Sequence, residues 1–329
     1  MSTNETQNLC GLKREGFQTT INGKNTDLFI LRNSAGNEVA VTNYGGAIVA
    51  IMVPDKDGKP ANVVQGHDNI KEVINSPEPY LSTLIGRFGN RIKEGRFTLH
   101  GKEYHLAVNN GPNALHGGPT GFHARVWEAN QVNDHAVVLK YTSAYGEEGF
   151  TGEVNVWVAY TFTDDNELVI KYLATCNKET IINLTNHAFF SLAGIANPTP
   201  TIDDLVCEIN ADFYLPIDAT SIPTGEIRFV EGTPFDFRQP KPGMATTTAS
   251  CSTSGRRANF RLPHASRIPP ADARWRSIPP SRACKCTQTT GPTATKDSTE
   301  PPSRDARPSV SRPSTSPILP IVPISRRSS

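Results

Sequence analysis

A regular two-residue alternation between residues 153 and 176 constrains the fold more than any other feature of the chain. The first run places five apolar side chains on one face: Val154, Val156, Val158, Tyr160 and Phe162. After a polar turn at residues 163–166 the period resumes with Leu168, Ile170, Tyr172, Ala174 and Cys176. Because successive side chains of a strand point to opposite faces, this pattern predicts a β-hairpin with one face packed on a core.

Other strands are predicted on both sides of this hairpin. Residues 136–141 form a short apolar run, and residues 37–53 contain two β-rich runs separated by Gly45 and Gly46. The paired glycines predict a tight turn or a bulge. No 12-residue helical pattern occurs, so the chain is predicted to be all-β, an antiparallel sandwich or a barrel-like protein.

The composition changes after about residue 243. Residues 245–329 hold 13 of the 26 prolines, with 12 arginines and 2 lysines against four acidic residues. Their net charge is +10, which leaves −9 for the rest of the chain. Such a composition buries too little apolar surface to offset the entropy of ordering. We therefore predict a β domain over residues 1–243 and a disordered Pro/Ser/Thr/Arg-rich tail over residues 244–329.

The N-terminal residues are polar and lack the basic and apolar regions of a signal peptide. No stretch approaches the roughly 18 apolar residues of a membrane span. We expect a cytoplasmic protein without membrane association. The six cysteines are scattered, without the spacing of a disulfide framework or a zinc site, so no metal is expected.

Residues 86–92 are the first candidate for a functional loop. Arg87 lies between two glycines, and Asn90 and Arg91 follow directly. A guanidinium is a planar fork of donors that suits adjacent hydroxyls or a carboxylate. The loop is therefore predicted to present fixed hydrogen-bond donors, and the alternative is a surface turn with solvated arginines.

Two histidines are the other candidates. His116 precedes two glycines, which would let a ligand or backbone approach the ring closely. His187 lies where an apolar run, read as a buried strand, opens into small residues. Taken alone, the local pattern of His187 favours a structural role, and His116 is a weak signal. Together with Asn90, Arg91 and a nearby aromatic ring (Phe189 or Phe190), they are the ingredients of a sugar site, because aromatic faces pack on pyranose C–H groups.

Six segments, in this order between about residue 15 and residue 243, carry a family resemblance. They are Gly86-Arg-Phe-Gly-Asn-Arg-Ile, Gly101-Lys-Glu-Tyr-His-Leu, Asn113-Ala-Leu-His-Gly-Gly, Gly121-Phe-His-Ala-Arg-Val-Trp, Leu184-Thr-Asn-His-Ala-Phe-Phe and Gly232-Thr-Pro-Phe-Asp-Phe-Arg. Together they resemble the aldose 1-epimerase family, the galactose mutarotases. The resemblance implies an antiparallel β-supersandwich, here incomplete at the C-terminus, that interconverts the α and β anomers of free hexoses such as glucose and galactose without metal or cofactor.

The resemblance also implies roles for individual residues. His187 falls on the family's acid, which protonates the ring oxygen, and imidazole suits this role because its ordinary pKa is about 6.5. His116 falls on a second site histidine, and Asn90 and Arg91 fall on substrate contacts. Phe189, also expected at the substrate, stands where a tyrosine is common.

Two family elements are missing from the chain. The base is a glutamate in a Glu-x-Gln-x-Phe-Pro-Asp segment near the C-terminus, and a substrate-binding aspartate lies in a Gly-Tyr-Asp-His segment. Neither segment occurs here. Their loss predicts an impaired enzyme, and the alternative function is a non-catalytic carbohydrate-binding β-sandwich.

A change of reading frame after about Gly243 explains the tail. When each codon is rebuilt from the third base of one codon and the first two of the next, the tail permits GYDHCFVLN from Met244 onward. The same frame permits EVYTTEPG and then QVYT across residues 275–288, and GFNGTTFPRRSAICLEAQHFPDTPN across residues 296–321. All of these match the family's C-terminal segments. The glutamate would be encoded across the codons of Ser311 and Arg312.

The expected partner is a small hexose, and a monomer is expected. A nucleic-acid partner for the basic tail is disfavoured because the tail lacks interleaved aromatic residues that stack on bases. A hexose 6-phosphate is disfavoured because no further basic cluster accompanies Arg91.

Overall fold

The computed structural model describes residues 8–55, 57–196, 206–209, 211–242, 250–251 and 258–261. Its regular elements are almost all strands. The first half contains β1 (Thr19–Ile21), β2 (Lys24–Thr26), β3 (Leu28–Arg32), β4 (Glu38–Thr42), β5 (Ile48–Pro54), β6 (Pro60–Asn62), β7 (Leu84–Ile85), β8 (Arg91–Ile92), β9 (Arg96–Leu99), β10 (Lys102–His105) and β11 (Ala114–Leu115). The second half contains β12 (Glu128–Asn133), β13 (Ala136–Ser143), β14 (Val154–Phe162), β15 (Leu168–Cys176), β16 (Thr185–Asn186), β17 (Val206–Ile209), β18 (Phe213–Tyr214), β19 (Arg228–Phe229), β20 (Lys241–Pro242), β21 (Ser250–Cys251) and β22 (Ala258–Arg261).

The described helices are short. They are the α-helix α1 (Ile70–Ile74) and the 3₁₀ turns Arg14–Phe17, Lys93–Gly95, Phe122–Ala124 and Glu147–Gly149. The α1 helix begins after Asn69, whose side chain accepts a hydrogen bond from the Glu72 N–H. No helix in the described part of the chain has the length and apolar character that crossing a bilayer requires.

Two antiparallel four-stranded sheets form the frame of the molecule, in the orders β3-β4-β5-β6 and β12-β13-β14-β15. Their facing side chains form one apolar core. Leu31, Val39 and Ile48 come from the first sheet, and Leu139 and Val156 from the second, each fully shielded from solvent. The prediction of an antiparallel β-sandwich is confirmed.

The opposite face of the first sheet has a core of its own. Leu28, Ala40 and Val49 pack there against Phe17 from the first 3₁₀ turn and Val73 from α1. The sheet is therefore buried on both faces, which explains why all five residues of β4 are shielded from solvent.

The hairpin predicted from the two-residue period is β14 and β15. Val158 lies opposite Tyr172, and Phe162 lies opposite Leu168 at the turn. The Gly45-Gly46 turn between β4 and β5 is also present, with both glycines at positive φ. A Cβ on Gly45 would lie 2.3 Å from the carbonyl oxygen of His123, so the close approach of two chain segments requires glycine there.

The predicted buried strand around His187 is wrong in form. Only the two residues of β16 are a strand, and most of residues 180–191 are half-buried. The segment is extended but pairs in turn with three different segments. Asn183 bridges to Phe88, β16 pairs with β7, and Phe190 bridges to Val64. Because no partner accompanies it for long, no long strand develops.

The last described strands include residues beyond Gly243. In one sheet β17 lies between β20 and β22, and in another β18 lies between β19 and β21. Most of the predicted tail, including Ser311 and Arg312, lies outside the described residues. The domain boundary at residue 243 stays a prediction.

Candidate active site

Three segments that are far apart in the sequence meet around residues 82–91. Strand β7 pairs with β16, which places His187 one residue beyond the paired Asn186. Strand β8 pairs with β11, which places Leu115 opposite Arg91 and His116 directly after the pair. The segment from β7 to β8 therefore holds Arg91 itself and positions both histidines.

His116 is fixed by two hydrogen bonds with the backbone of Asn90, one through its own backbone and one through its ring. Its backbone N–H donates to the Asn90 carbonyl at 3.0 Å, and its Nδ1 accepts the Asn90 N–H at 2.9 Å. The residue adopts a φ of +54°. The next residue must be glycine, since a Cβ on Gly117 would lie 1.9 Å from the Gly86 carbonyl oxygen. The ring position is thus determined locally.

His116 is neutral at physiological pH. Burial, followed by the nearby His187, Arg91 and His123, lowers the pKa of His116 to about 3. Because Nδ1 accepts a hydrogen bond, the single ring proton lies on Nε2. His116 therefore offers a hydrogen-bond donor to the site rather than a base.

His187 is held through its backbone, and its ring is half-buried. Its N–H donates to the Thr83 carbonyl at 2.9 Å, and its carbonyl accepts the Ser82 N–H at 3.1 Å. The ring lies edge-on to that of His116, with centroids 5.0 Å apart and planes at 81°. The ring of Phe189, which is 36% exposed, lies 5.1 Å from that of His187. The two imidazoles and the phenyl ring thus form one cluster.

Arg91 and Asn90 border the cluster. The Arg91 Nε donates to the Asn110 side-chain oxygen at 2.9 Å, and its Nη1 lies 3.5 Å from the Asn90 side-chain oxygen. These two contacts orient the guanidinium and use two of its five N–H groups. Both residues are half-buried, so a ligand can reach them.

The arrangement combines imidazoles with a fork of donors, and the comparisons with known proteins identify its family. The sequence profile described as Aldose 1-epimerase matches residues 27–267, more than half of the chain. The chain belongs to the aldose 1-epimerase family. The family interpretation made from the six sequence segments is confirmed.

Named relatives of this family member come from animals and bacteria. Galactose mutarotase of Sus scrofa is 46% identical over 202 residues, which are 61% of this chain and 58% of the relative. Aldose 1-epimerase of Escherichia coli (strain K12) is 36% identical over 214 residues, which are 65% of this chain and 61% of the relative. The chain thus spans about three-fifths of the length of these relatives.

Solved structures of the family share the fold. A GalM/aldose epimerase homologue from C. elegans is 33% identical, with a TM-score of 0.62 over 66% of this chain and 65% of that one. Galactose 1-epimerase from Lactobacillus acidophilus NCFM is 27% identical, with a TM-score of 0.60 over 68% and 64%. The galactose mutarotase-like architecture predicted from the sequence is confirmed.

Arg87 does not border the candidate site of this aldose 1-epimerase family member, although it shares the glycine-rich loop with Arg91. It is 1% exposed, and its guanidinium donates to the Ser143 hydroxyl and to four carbonyls, those of Ser143, Ala144, Thr151 and Gly152. Burial lowers its pKa to about 10, so it stays charged at neutral pH. Arg87 fixes the chain turns behind the site, whereas Arg91 borders the site itself.

Tyr80 and His123 join the cluster but were not predicted as site residues. The Tyr80 ring lies 4.8 Å from His116, 4.7 Å from His123 and 6.0 Å from His187. His123 is 4% exposed, and burial lowers its pKa to about 4. Its sequence context signals only a family segment, and Tyr80 follows a proline without any local pattern. Only the contacts between distant segments reveal either residue.

A cavity of about 800 Å³ lies between the β1–β2 hairpin and β12 and includes none of the site residues. Several of its polar groups already bond to one another or to backbone. Asn43 bonds Asp27, Asn25 and Trp127, and Asp27 pairs with Arg14. These hydrogen bonds and this ion pair leave Asn43 and Asp27 with few polar atoms for a ligand to bind. Among the described residues, no three histidine, cysteine or carboxylate side chains are grouped as metal ligands would be.

Proposed function

We propose that the chain is an aldose 1-epimerase that interconverts the α and β anomers of free glucose or galactose, and that its activity is impaired. The observation that carries the proposal is the edge-on contact of His116 and His187 beside Arg91, in a chain of the aldose 1-epimerase family. Because the chain spans only part of the length of its relatives, their activity is proposed for this chain on the evidence of its own site.

The proposed chemistry uses two proton transfers. A base removes the proton of the anomeric hydroxyl while His187 gives a proton to the ring oxygen, the C1–O5 bond breaks, and an open-chain aldehyde forms. Rotation about the C1–C2 bond and reversal of these steps closes the ring on the other face. His116 donates from Nε2 to a sugar oxygen, Asn90 and Arg91 bind hydroxyls, and Phe189 packs on the sugar's C–H face.

The base is the missing component. The family resemblance assigns it to a C-terminal glutamate that the chain lacks as written. We propose that the reading frame changes after about Gly243 and that this change removed the glutamate. The nucleotide sequence around the codons for residues 243–245 tests this directly, since codons that forbid the family's segments would refute it.

Polarimetry on freshly dissolved α-glucose and α-galactose tests the activity. We expect a rate above the spontaneous one but well below that of an intact relative such as the pig galactose mutarotase. His187→Gln is expected to remove the remaining acceleration, since a positioned general acid contributes about 10²- to 10⁴-fold. The control is His135→Gln, which changes an exposed histidine in the turn between β12 and β13.

Three results would revise the proposal. A full rate from the chain as written would show that the base assignment is wrong. An unchanged rate in the His187→Gln variant would remove His187 from the mechanism. Hexose binding by calorimetry without any acceleration would replace the enzyme with a carbohydrate-binding module.

We further propose that the protein acts on its hexose as a monomer in the cytoplasm. Size-exclusion chromatography with light scattering measures the oligomeric state, and cell fractionation measures the compartment. A stable dimer or a secreted product would contradict this part.

A further inference from the structure

Tyr80 occupies the centre of the histidine cluster. Its ring meets the ring of His116 edge-on at 69° and that of His123 edge-on at 63°, so it lies wedged between them. It also faces His187 at 6.0 Å. Since His123 is almost fully buried, the ring cannot move away from His116 without disturbing packed side chains. Tyr80 is therefore held against both site histidines.

The backbone of Tyr80 connects it to the segment of His187. Its carbonyl accepts the Thr83 N–H at 3.1 Å and the Thr83 hydroxyl at 3.0 Å. The Thr83 carbonyl in turn accepts the His187 N–H at 2.9 Å. A shift of Tyr80 would thus be transmitted through one residue to the backbone of His187.

The hydroxyl of Tyr80 connects it to the segment of His116. Asn109 donates from Nδ2 to the Tyr80 hydroxyl at 3.2 Å and to the Leu115 carbonyl at 3.0 Å. The Asn109 side-chain oxygen accepts the Leu115 N–H at 2.7 Å. Because Leu115 precedes His116, one amide side chain holds both the ring of Tyr80 and the strand that delivers the histidine.

We propose that Tyr80 is a positioning residue, whose ring sets the separation and orientation of the His116 and His187 imidazoles. This inference rests on the proposed function and names a residue that the six family segments do not contain. The ring lies beside both imidazoles, which contact each other directly, and the Tyr80 carbonyl and hydroxyl are bonded to their two segments, so the ring acts as a lateral support for two groups on different segments. Acid and donor must both face one sugar, and a misplacement of about 1 Å can cost about 10²-fold in rate.

Substitutions at Tyr80 separate positioning from general packing. Tyr80→Phe keeps the ring and loses only the bond from Asn109, so we expect kcat within about threefold of the unchanged chain. Tyr80→Leu removes the ring, and we expect kcat to fall about 10- to 100-fold while KM changes less than about threefold. The matched control is Tyr104→Leu, because Tyr104 stacks on Phe97 in the β9–β10 hairpin, outside the histidine cluster. It should leave kcat unchanged.

Ring spectra give a readout that does not depend on turnover. In ¹⁵N NMR of the full chain, His116 should show a protonated Nε2 and an accepting Nδ1, a pattern kept in Tyr80→Phe and Tyr104→Leu. In Tyr80→Leu, the His116 and His187 ring signals should both shift or broaden. If the unchanged chain fails to accelerate mutarotation, the proposed function fails, and these spectra still decide the role of Tyr80.

Two outcomes would overturn the inference. One is a folded Tyr80→Leu chain with unchanged ring spectra. The other is unfolding of both Tyr80→Leu and Tyr80→Met, which would make Tyr80 a residue of general stability. Should only Tyr80→Leu unfold, the same measurements are made on Tyr80→Met, whose side chain is closer in length to tyrosine, and shifted ring signals in that variant support the positioning role.

Discussion

The two strands of one hairpin, β14 and β15, differ sharply in how far they are enclosed. The five inward side chains of β14, from Val154 to Phe162, are at most 1% exposed. Their direct partners on β15, from Leu168 to Cys176, face the same core but are only half-buried. On the other face of β15, Leu173 is 45% exposed.

The difference shows where the enclosed part of the molecule ends. β14 has paired strands on both sides, whereas among the described residues β15 pairs only with β14. Half-buried Leu184, Ala188 and Phe190 pack on the same core as β15. His116 and His187 are both half-buried and lie outside these two strands.

Equal truncations in the two regions should have unequal costs, which is the largest effect expected. Leu139→Ala on β13 removes a side chain that is 0% exposed, and should lower the free energy of unfolding by about 4 kcal/mol. Ile170→Ala on β15 should cost only about 1–2 kcal/mol, because its side chain already meets solvent. Urea unfolding measures both. Equal costs would mean that β15 is covered in solution.

The next largest effect on stability is expected from acid, through two histidines whose pKa values are lowered by burial. Burial lowers the pKa values of His116 and His123 to about 3 and about 4, below the unfolded value of 6.5. The unfolded chain therefore binds more protons, and stability is lost as the pH falls from about 6.5 toward these values. The loss is up to about 1.4 kcal/mol per pH unit for each histidine.

Urea unfolding between pH 7 and pH 5 measures this dependence. His123→Gln should reduce the slope because glutamine does not titrate, while His135→Gln, at an exposed position, should leave it unchanged. The charged or titratable groups near the His116 and His123 rings also include Arg91, Arg125 and His187, and these three are unchanged in both variants. An unchanged slope in His123→Gln would show that its ring is hydrated in solution.

The smallest effect on stability is expected from charges placed on the two edges of the same sheet. Leu173→Lys on β15 should change the free energy of unfolding by less than about 0.5 kcal/mol yet reduce self-association, because an edge lysine hinders strand addition. Val132→Lys, at a 57% exposed position on β12, is the control. The end of β12 already contacts β3, since the Arg32 N–H donates to the carbonyl of Asp134, the residue after β12, at 2.7 Å. The rise of the apparent molar mass with protein concentration, measured by light scattering, should be reduced only in Leu173→Lys.

Local pattern was sufficient for the β14–β15 hairpin and for the turn at Gly45, since both depend on neighbouring residues. Local pattern does not distinguish Arg87 from Arg91, which are four positions apart in one glycine-rich loop. The loop motif is the same for both, but Arg87 meets carbonyls from around residues 143 and 152, which no local pattern contains. The family resemblance supplied His116, His187, Asn90 and Arg91, and it gave no indication of Tyr80.

The sequence by itself determined that this chain is built of antiparallel strands and to which family it belongs, because strand period, turn glycines and motif order are all properties of neighbouring residues. Only the tertiary structure decided which polar side chains share a cluster and which strand faces solvent. The physical reason is that these outcomes depend on contacts between residues far apart in the chain. The contact of His116 with His187, 71 positions apart by their numbers, is one such outcome.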